Sequence, residues 1–82
     1  MINYINNVWL NPPENTEQIV CFDGISKSDN QERIAFGLLK NDKEIMKFVK
    51  SKNESYQDYV VKLKVISEEL NKFAEYIKET YF

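Results

Sequence analysis

The chain has 82 residues, the size of one small domain, and we predict a single domain over residues 1–82. Its apolar fraction of 43% and aromatic fraction of 13% are typical of a chain that folds. Eleven basic residues, of which only Arg33 is an arginine, stand against 13 acidic residues and leave a net charge of −2. A phosphate backbone is bound by clustered cations, so this balance argues against nucleic acid as a direct partner.

Residue types that carry most enzyme chemistry are scarce in this chain. It has no histidine, one cysteine (Cys21) and two glycines. Without histidine there is no imidazole base, no Ser-His or Cys-His pair and no usual zinc ligand, and two glycines cannot build a phosphate-binding loop. We therefore predict a protein that is not an enzyme and has no cofactor and no metal site. The N-terminal sequence lacks a signal-peptide pattern and no apolar run is long enough to span a bilayer, so we predict a cytoplasmic location.

The first half of the chain predicts β-structure. Short apolar runs over residues 4–10 and 17–22 are separated by two consecutive prolines, which break any ladder of hydrogen bonds. Residues 32–39 alternate, with Ile34, Phe36 and Leu38 on one face of a strand. A polar loop over residues 26–31 precedes this strand. Three short strands with short connections predict an antiparallel meander.

The second half predicts helices. Asn41 or Asp42 can cap a short helix whose apolar side chains end at Val49. The sequence from Ser51 to Glu54 then matches the S-x-x-E capping box, and no glycine or proline follows before Tyr81. We therefore predict an α+β fold: a three-stranded antiparallel sheet over a β-rich part, residues 1–40, and a helical part, residues 41–82, with a short helix and a long C-terminal helix packed on the sheet.

A second interpretation of the long segment stays open at the level of sequence. Residues 59–66 are rich in β-branched side chains and also alternate, as a strand would. In that version Ser67 caps a shorter helix. The continuous helix is favoured because apolar residues keep one helical period through both halves of the segment.

Those apolar residues form a stripe on the predicted helix, with spacings of three and four residues that return each side chain to one side. The stripe comprises Tyr56, Tyr59, Leu63, Ile66, Leu70, Phe73 and Ile77. In a heptad these are a and d positions, but apolar residues at e (Val60, Ala74 and Tyr81) widen the stripe into a broad face. A broad face favours packing within the domain over a two-chain coiled coil.

Apolar side chains outside the stripe are harder to bury, because one sheet cannot cover every side of a helix. We predict that they form a partner-binding surface: Val61, Val65, Tyr76, Tyr81 and Phe82. The leading functional hypothesis is a small non-enzymatic protein-binding module that occupies a surface on a larger host protein. The abundance of Asn, Lys and Ile is typical of AT-rich coding DNA and suggests a phage or mobile-element inhibitor of a host enzyme or defence nuclease, such as an anti-CRISPR-type protein.

The alternative hypothesis is a homodimeric structural or regulatory protein that associates through the long helix. Weak DNA contact would then come from a row of lysines on one face of the predicted short helix and just after it: Lys43, Lys47, Lys50 and Lys52. Such contact would weaken steeply as salt is added.

Overall fold

The protein, described here from a computed structural model for residues 2–25 and 30–82, combines an antiparallel sheet with one helix. The strands are β1 (Ile2–Trp9), β2 (Glu17–Ile25), β3 (Glu32–Lys40) and β4 (Lys43–Val49), and the helix is α1 (Tyr56–Tyr81). The sheet order is β1-β2-β3-β4, so each strand pairs with its neighbour in sequence. The α+β class and the antiparallel meander are confirmed. Most of the predicted loop before β3 lies outside the described residues.

The prediction of three strands and a short helix over residues 41–49 is wrong, because that segment forms β4. Asn41 and Asp42 have φ angles of 51° and 64°, and Lys40 pairs with Lys43 across them. Two successive residues with positive φ form the tight turn that suits a two-residue hairpin. The two residues that we expected to cap a helix therefore reverse the chain into a fourth strand.

An irregularity in β4 explains why its sequence resembles a helix. Leu38 pairs with Met46 but Leu39 pairs with Glu44, so Ile45 is an extra residue opposite the β3 ladder. The extra residue breaks the alternation of apolar and polar positions that marks a strand. Beyond it the pairing is regular, and Phe48 faces Phe36 with ring centroids 5.6 Å apart.

The connection from β1 to β2 is organised by Asn11. Its side-chain oxygen accepts hydrogen bonds from the backbone N–H groups of Thr16, at 3.2 Å, and Glu17, at 2.9 Å. Its amide nitrogen donates to the Thr16 hydroxyl at 2.6 Å. The Pro12–Pro13 peptide bond within this connection is cis. These bonds replace the ladder that the two prolines cannot continue.

Helix α1 runs without interruption over 26 residues, so the continuous helix is confirmed and the strand alternative for residues 59–66 is wrong. Its N-cap is Ser55, whose hydroxyl accepts from the Asp58 backbone N–H at 3.0 Å. The helix thus begins later than the predicted capping box. Within that box the Glu54 carboxylate does accept from the Ser51 backbone N–H, at 3.3 Å, but the two residues form a turn before the helix.

The chain divides into two compact units, Met1–Lys50 and Ser51–Phe82. The β-rich part therefore extends to Val49, beyond the predicted boundary at residue 40. In the first unit the central strands β2 and β3 are the better covered, with Gln18 only 9% exposed, whereas the outer strands are largely open. The single domain and the packing of the long helix on the sheet stay predictions.

Candidate protein-binding surface

The five residues predicted as a partner-binding surface are all exposed. Val61 and Val65 lie in the N-terminal half of α1, Tyr76 and Tyr81 lie near its end, and Phe82 is the C-cap residue. Each of these side chains has more than half of its surface open to solvent. Exposure agrees with the role that the sequence suggests, although it does not by itself make the five residues one surface.

Helix geometry separates these residues into different surfaces. Val61 and Val65 are one turn apart on one side of α1. Tyr76 lies on the same side of the helix, roughly 16 Å beyond Val65 along the helix axis at a rise of about 1.5 Å per residue. Glu69 and Lys72 occupy the same side between them and form an ion pair at 3.3 Å. The two valines are therefore cut off from the tyrosine by charged side chains.

Exposed apolar residues are contiguous elsewhere, in the last three turns of α1. We call this surface the C-terminal patch, and it comprises Leu70, Phe73, Tyr76, Ile77 and Tyr81. Leu70 is 62% exposed and Phe73 is 60% exposed. The rings of Phe73 and Tyr76 lie nearly parallel, with centroids 6.4 Å apart and an interplanar angle of 7°, so the two aromatic side chains form one platform.

The C-terminal patch joins part of the predicted stripe to part of the predicted binding surface. Leu70, Phe73 and Ile77 belong to the stripe, for which the sequence predicts packing within the domain, so they are not among the residues predicted as a partner-binding surface. Along the same stripe Tyr59 is 4% exposed, and Leu63 and Ile66 are half-buried. The spacing of three and four residues identifies the side of the helix that carries the covered side chains. It does not distinguish the part of the stripe that is covered from the part that is exposed.

The start of α1 is fixed by an ion pair of a different kind. The Glu54 side chain is only 7% exposed and pairs with the ammonium group of Lys62, whose side chain is 57% exposed. Glu54 also accepts the Ser51 N–H described above. This pair holds the segment before the helix against its second turn, at the opposite end of α1 from the C-terminal patch.

The sheet carries a shallow concavity of about 260 Å³ on one face. Ala35 and Gly37 line the concavity, and their small size leaves room for it. Arg33, Glu44 and Lys47 also line it and bring charges of both signs. A Cβ atom at Gly37 would lie 3.2 Å from the carbonyl oxygen of Met46, so glycine also permits close approach of β4.

The lysine row proposed for DNA contact depended on the short helix that the structure replaces with β4. Lys43 pairs with Lys40 and Lys47 pairs with Gly37. Because Lys40 and Gly37 lie on opposite faces of β3, Lys43 and Lys47 do too. The structure therefore does not bring the lysines onto one face.

Within residues 2–25 and 30–82 the structure contains no group of three or more His, Cys, Asp or Glu side chains that could hold a metal ion. The described part of the chain also holds no helix with both the length and the apolar character needed to cross a membrane. Comparison with known proteins finds no matching family model, no similar curated protein and no similar solved structure. A functional proposal therefore depends on the surface chemistry described above.

Proposed function

We propose that this chain is a small, non-enzymatic protein-binding module that docks the C-terminal patch of α1 onto a larger protein. The observation that carries the proposal is the concentration of exposed leucine, isoleucine and aromatic side chains in three turns of one helix. Patches of this kind mark interaction sites, and aromatic residues are the usual anchors within them.

The spacing in the patch fits one mode of recognition. Leu70, Phe73 and Ile77 stand at positions i, i+3 and i+7, the arrangement by which an amphipathic helix inserts its apolar side into a groove. Tyr81 follows one turn after Ile77 and extends the same side. The partner is therefore expected to present a hydrophobic groove about three helical turns long.

Burial of the exposed side chains in such docking would supply gross energies of the size found for anchor residues at interfaces. Phe73 is 60% exposed. An aromatic side chain of about 200 Å² that loses its open 60% buries roughly 120 Å², which corresponds to about 3 kcal/mol at 25 cal/mol per Å². Leu70 is exposed to a similar extent and adds a comparable anchor. Two or three anchors of this size are typical of the residues that dominate an interface.

The biological role that we propose is inhibition of a host enzyme or defence nuclease by a phage or mobile-element protein in the cytoplasm. Its support is compositional: a short chain, rich in Asn, Lys and Ile, with no histidine for catalysis. An inhibitor of this type needs only to occupy a surface that its target uses. The proposed partner is accordingly a larger host protein.

The test compares two single substitutions at different positions along α1, one inside the C-terminal patch and one outside it. Phe73→Ala removes the central anchor of the C-terminal patch, whereas Val65→Ala removes an exposed side chain outside it. Partners captured from a low-GC bacterial lysate by the tagged chain are identified by mass spectrometry, and their affinities are measured with purified proteins. We expect Phe73→Ala to weaken binding by about 2 kcal/mol, or roughly thirtyfold, and Val65→Ala to change it little.

Circular dichroism of both variants checks that the helix is intact. Binding that survives Phe73→Ala but is lost in Val65→Ala would move the site to the N-terminal half of α1, which carries the two valines. A chain that captures no partner would contradict the proposed function.

A second candidate function is that of a structural or regulatory protein that forms a homodimer through α1. The exposed part of the stripe favours it, because Leu70, Phe73 and Ile77 keep the heptad spacing of a helix–helix interface. Light scattering on the purified chain separates the two candidates. A helix-mediated dimer should dissociate in Leu70→Glu.

A further inference from the structure

The two edges of the sheet differ in chemistry. Strand β4, at one edge, carries three charged side chains in seven residues and the extra residue Ile45. Strand β1, at the other edge, carries no charged residue over Ile2–Trp9, and all eight of its residues are exposed. An edge strand leaves a row of backbone N–H and C=O groups without a ladder partner, and proteins protect such rows with charges, prolines or bulges. Edge β4 has this protection and β1 largely lacks it.

The unprotected part of β1 is regular. Its one irregularity lies between Ile2 and Tyr4, and from Tyr4 to Trp9 every residue pairs in register with β2. Within the described residues no strand lies beyond β1. The edge is therefore a template of six residues without a bulge or a charge, which is the length of an average strand.

We propose that β1 is a dimerisation edge, where β1 of a second copy of this chain adds antiparallel and continues the sheet. The occupant is argued from self-complementarity. A two-fold axis through Asn6 sets Tyr4 of each copy against Val8 of the other, and an axis through Asn7 sets Ile5 against Trp9. In either register, two symmetry-related pairs form between an aromatic and a β-branched side chain, and two asparagine side chains meet at the axis. Cross-strand pairs of these kinds are favourable.

Charge supports a second copy over an unrelated extended segment. A two-fold axis places identical side chains close together, so any charge near it would repel its copy. The stretch around Asn6 and Asn7 contains none. The same lack of charge gives β1 no charged side chain with which to select a segment of another protein, and specificity in strand addition comes from side-chain recognition. This proposal concerns the sheet and is independent of the function proposed for α1.

The test measures the mass of the full chain in solution by sedimentation equilibrium over a wide concentration range. We expect reversible association to twice the chain mass of 9.7 kDa. Asn6→Lys places like charges across the axis and should weaken the dimer about fivefold or more. Asn71→Lys, the same substitution at an exposed position of α1, should leave the dimer unchanged.

Hydrogen exchange on the unmodified chain provides a readout that does not depend on a variant folding. Amide N–H groups of β1 should become protected as the concentration rises, while those of β4 should not. A chain that stays monomeric, or a dimer that resists Asn6→Lys and dissociates in Leu70→Glu, would overturn the proposal. Protection of β1 that appears only when a different protein is added would overturn it too, and would assign the edge to that protein.

Discussion

The cap of α1 gives the most direct test of how this helix is held together. Only Tyr59 among the side chains of α1 is buried, so local terms contribute a larger share of its stability than in a helix packed on all sides. The Ser55 hydroxyl accepts from the Asp58 N–H at 3.0 Å. Ser55→Ala removes that acceptor and returns the N–H to solvent. The expected cost is about 1 kcal/mol, which is a factor of about five in the equilibrium between helix and coil.

A matched control lies in the same helix. Ser67 is exposed and sits in the middle of α1, where a serine side chain satisfies no cap. Ser67→Ala removes the same hydroxyl but gains helix propensity, and it should stabilise the helix by about 0.5 kcal/mol. Two identical chemical changes are thus expected to have opposite signs. Ser55→Asp keeps an acceptor at the cap and should restore most of the loss.

The assay is urea unfolding followed by the helix signal in circular dichroism, with hydrogen exchange of the Asp58 amide as a local readout. That amide should exchange faster in Ser55→Ala and be unchanged in Ser67→Ala. If Ser55→Ala leaves the free energy of unfolding unchanged, or raises it as Ser67→Ala does, the assignment of Ser55 as the cap is refuted.

Two further perturbations test the remaining local interactions. Lys62→Met removes the ammonium partner of the largely buried Glu54 carboxylate and should lower the free energy of unfolding by roughly 1–2 kcal/mol. Lys72→Met breaks an exposed ion pair and should lower it by less than about 0.5 kcal/mol. Equal decreases in the free energy of unfolding, measured in urea, would contradict this contrast. Asn11→Ala should destabilise the first unit by about 2 kcal/mol because two backbone N–H groups lose their acceptor, and Asn11→Asp should recover part of that loss. An Asn11→Ala protein as stable as the parent chain would show that the connection does not depend on this side chain.

Strands β2 and β3 and helix α1 could be predicted because their signals are local and periodic. Ile34, Phe36 and Leu38 alternate through β3 without a break, and the stripe keeps one helical period from Tyr56 to Ile77. The apolar run that predicts β2 ends at residue 22, and Asp23 and Gly24 favour a turn, yet both residues pair with β1 and β3. A turn propensity is overridden when strands on both sides supply the ladder.

Strand β4 could not be predicted from its own residues. Ile45 and Met46 are adjacent apolar residues because one of them is the extra residue, and that pair mimics a helical face. Asn41 and Asp42 favour both a helix cap and a turn with positive φ. Only the pairing with β3 decides between these outcomes, and it is a contact between segments that a local pattern does not contain.

The candidate site shows the same limit in another form. Periodicity assigns Leu70 and Tyr59 to one side of α1, but one is open and the other is buried. The sequence predicts a partner-binding surface from apolar residues outside the stripe, and this criterion takes no account of position along the helix axis. As a result Val61 and Tyr76 were grouped although charged side chains separate them.

The two proposed interfaces have a joint consequence. The β1 edge lies in the first compact unit and the C-terminal patch lies in the second, so the two surfaces share no residue. A dimer joined at β1 carries two C-terminal patches. If a target is itself symmetric and its grooves are within reach of both helices, the second contact becomes intramolecular and the apparent affinity exceeds that of one patch. In that case Asn6→Lys should weaken capture of a dimeric target without changing the affinity for a single groove, whereas Phe73→Ala should weaken both.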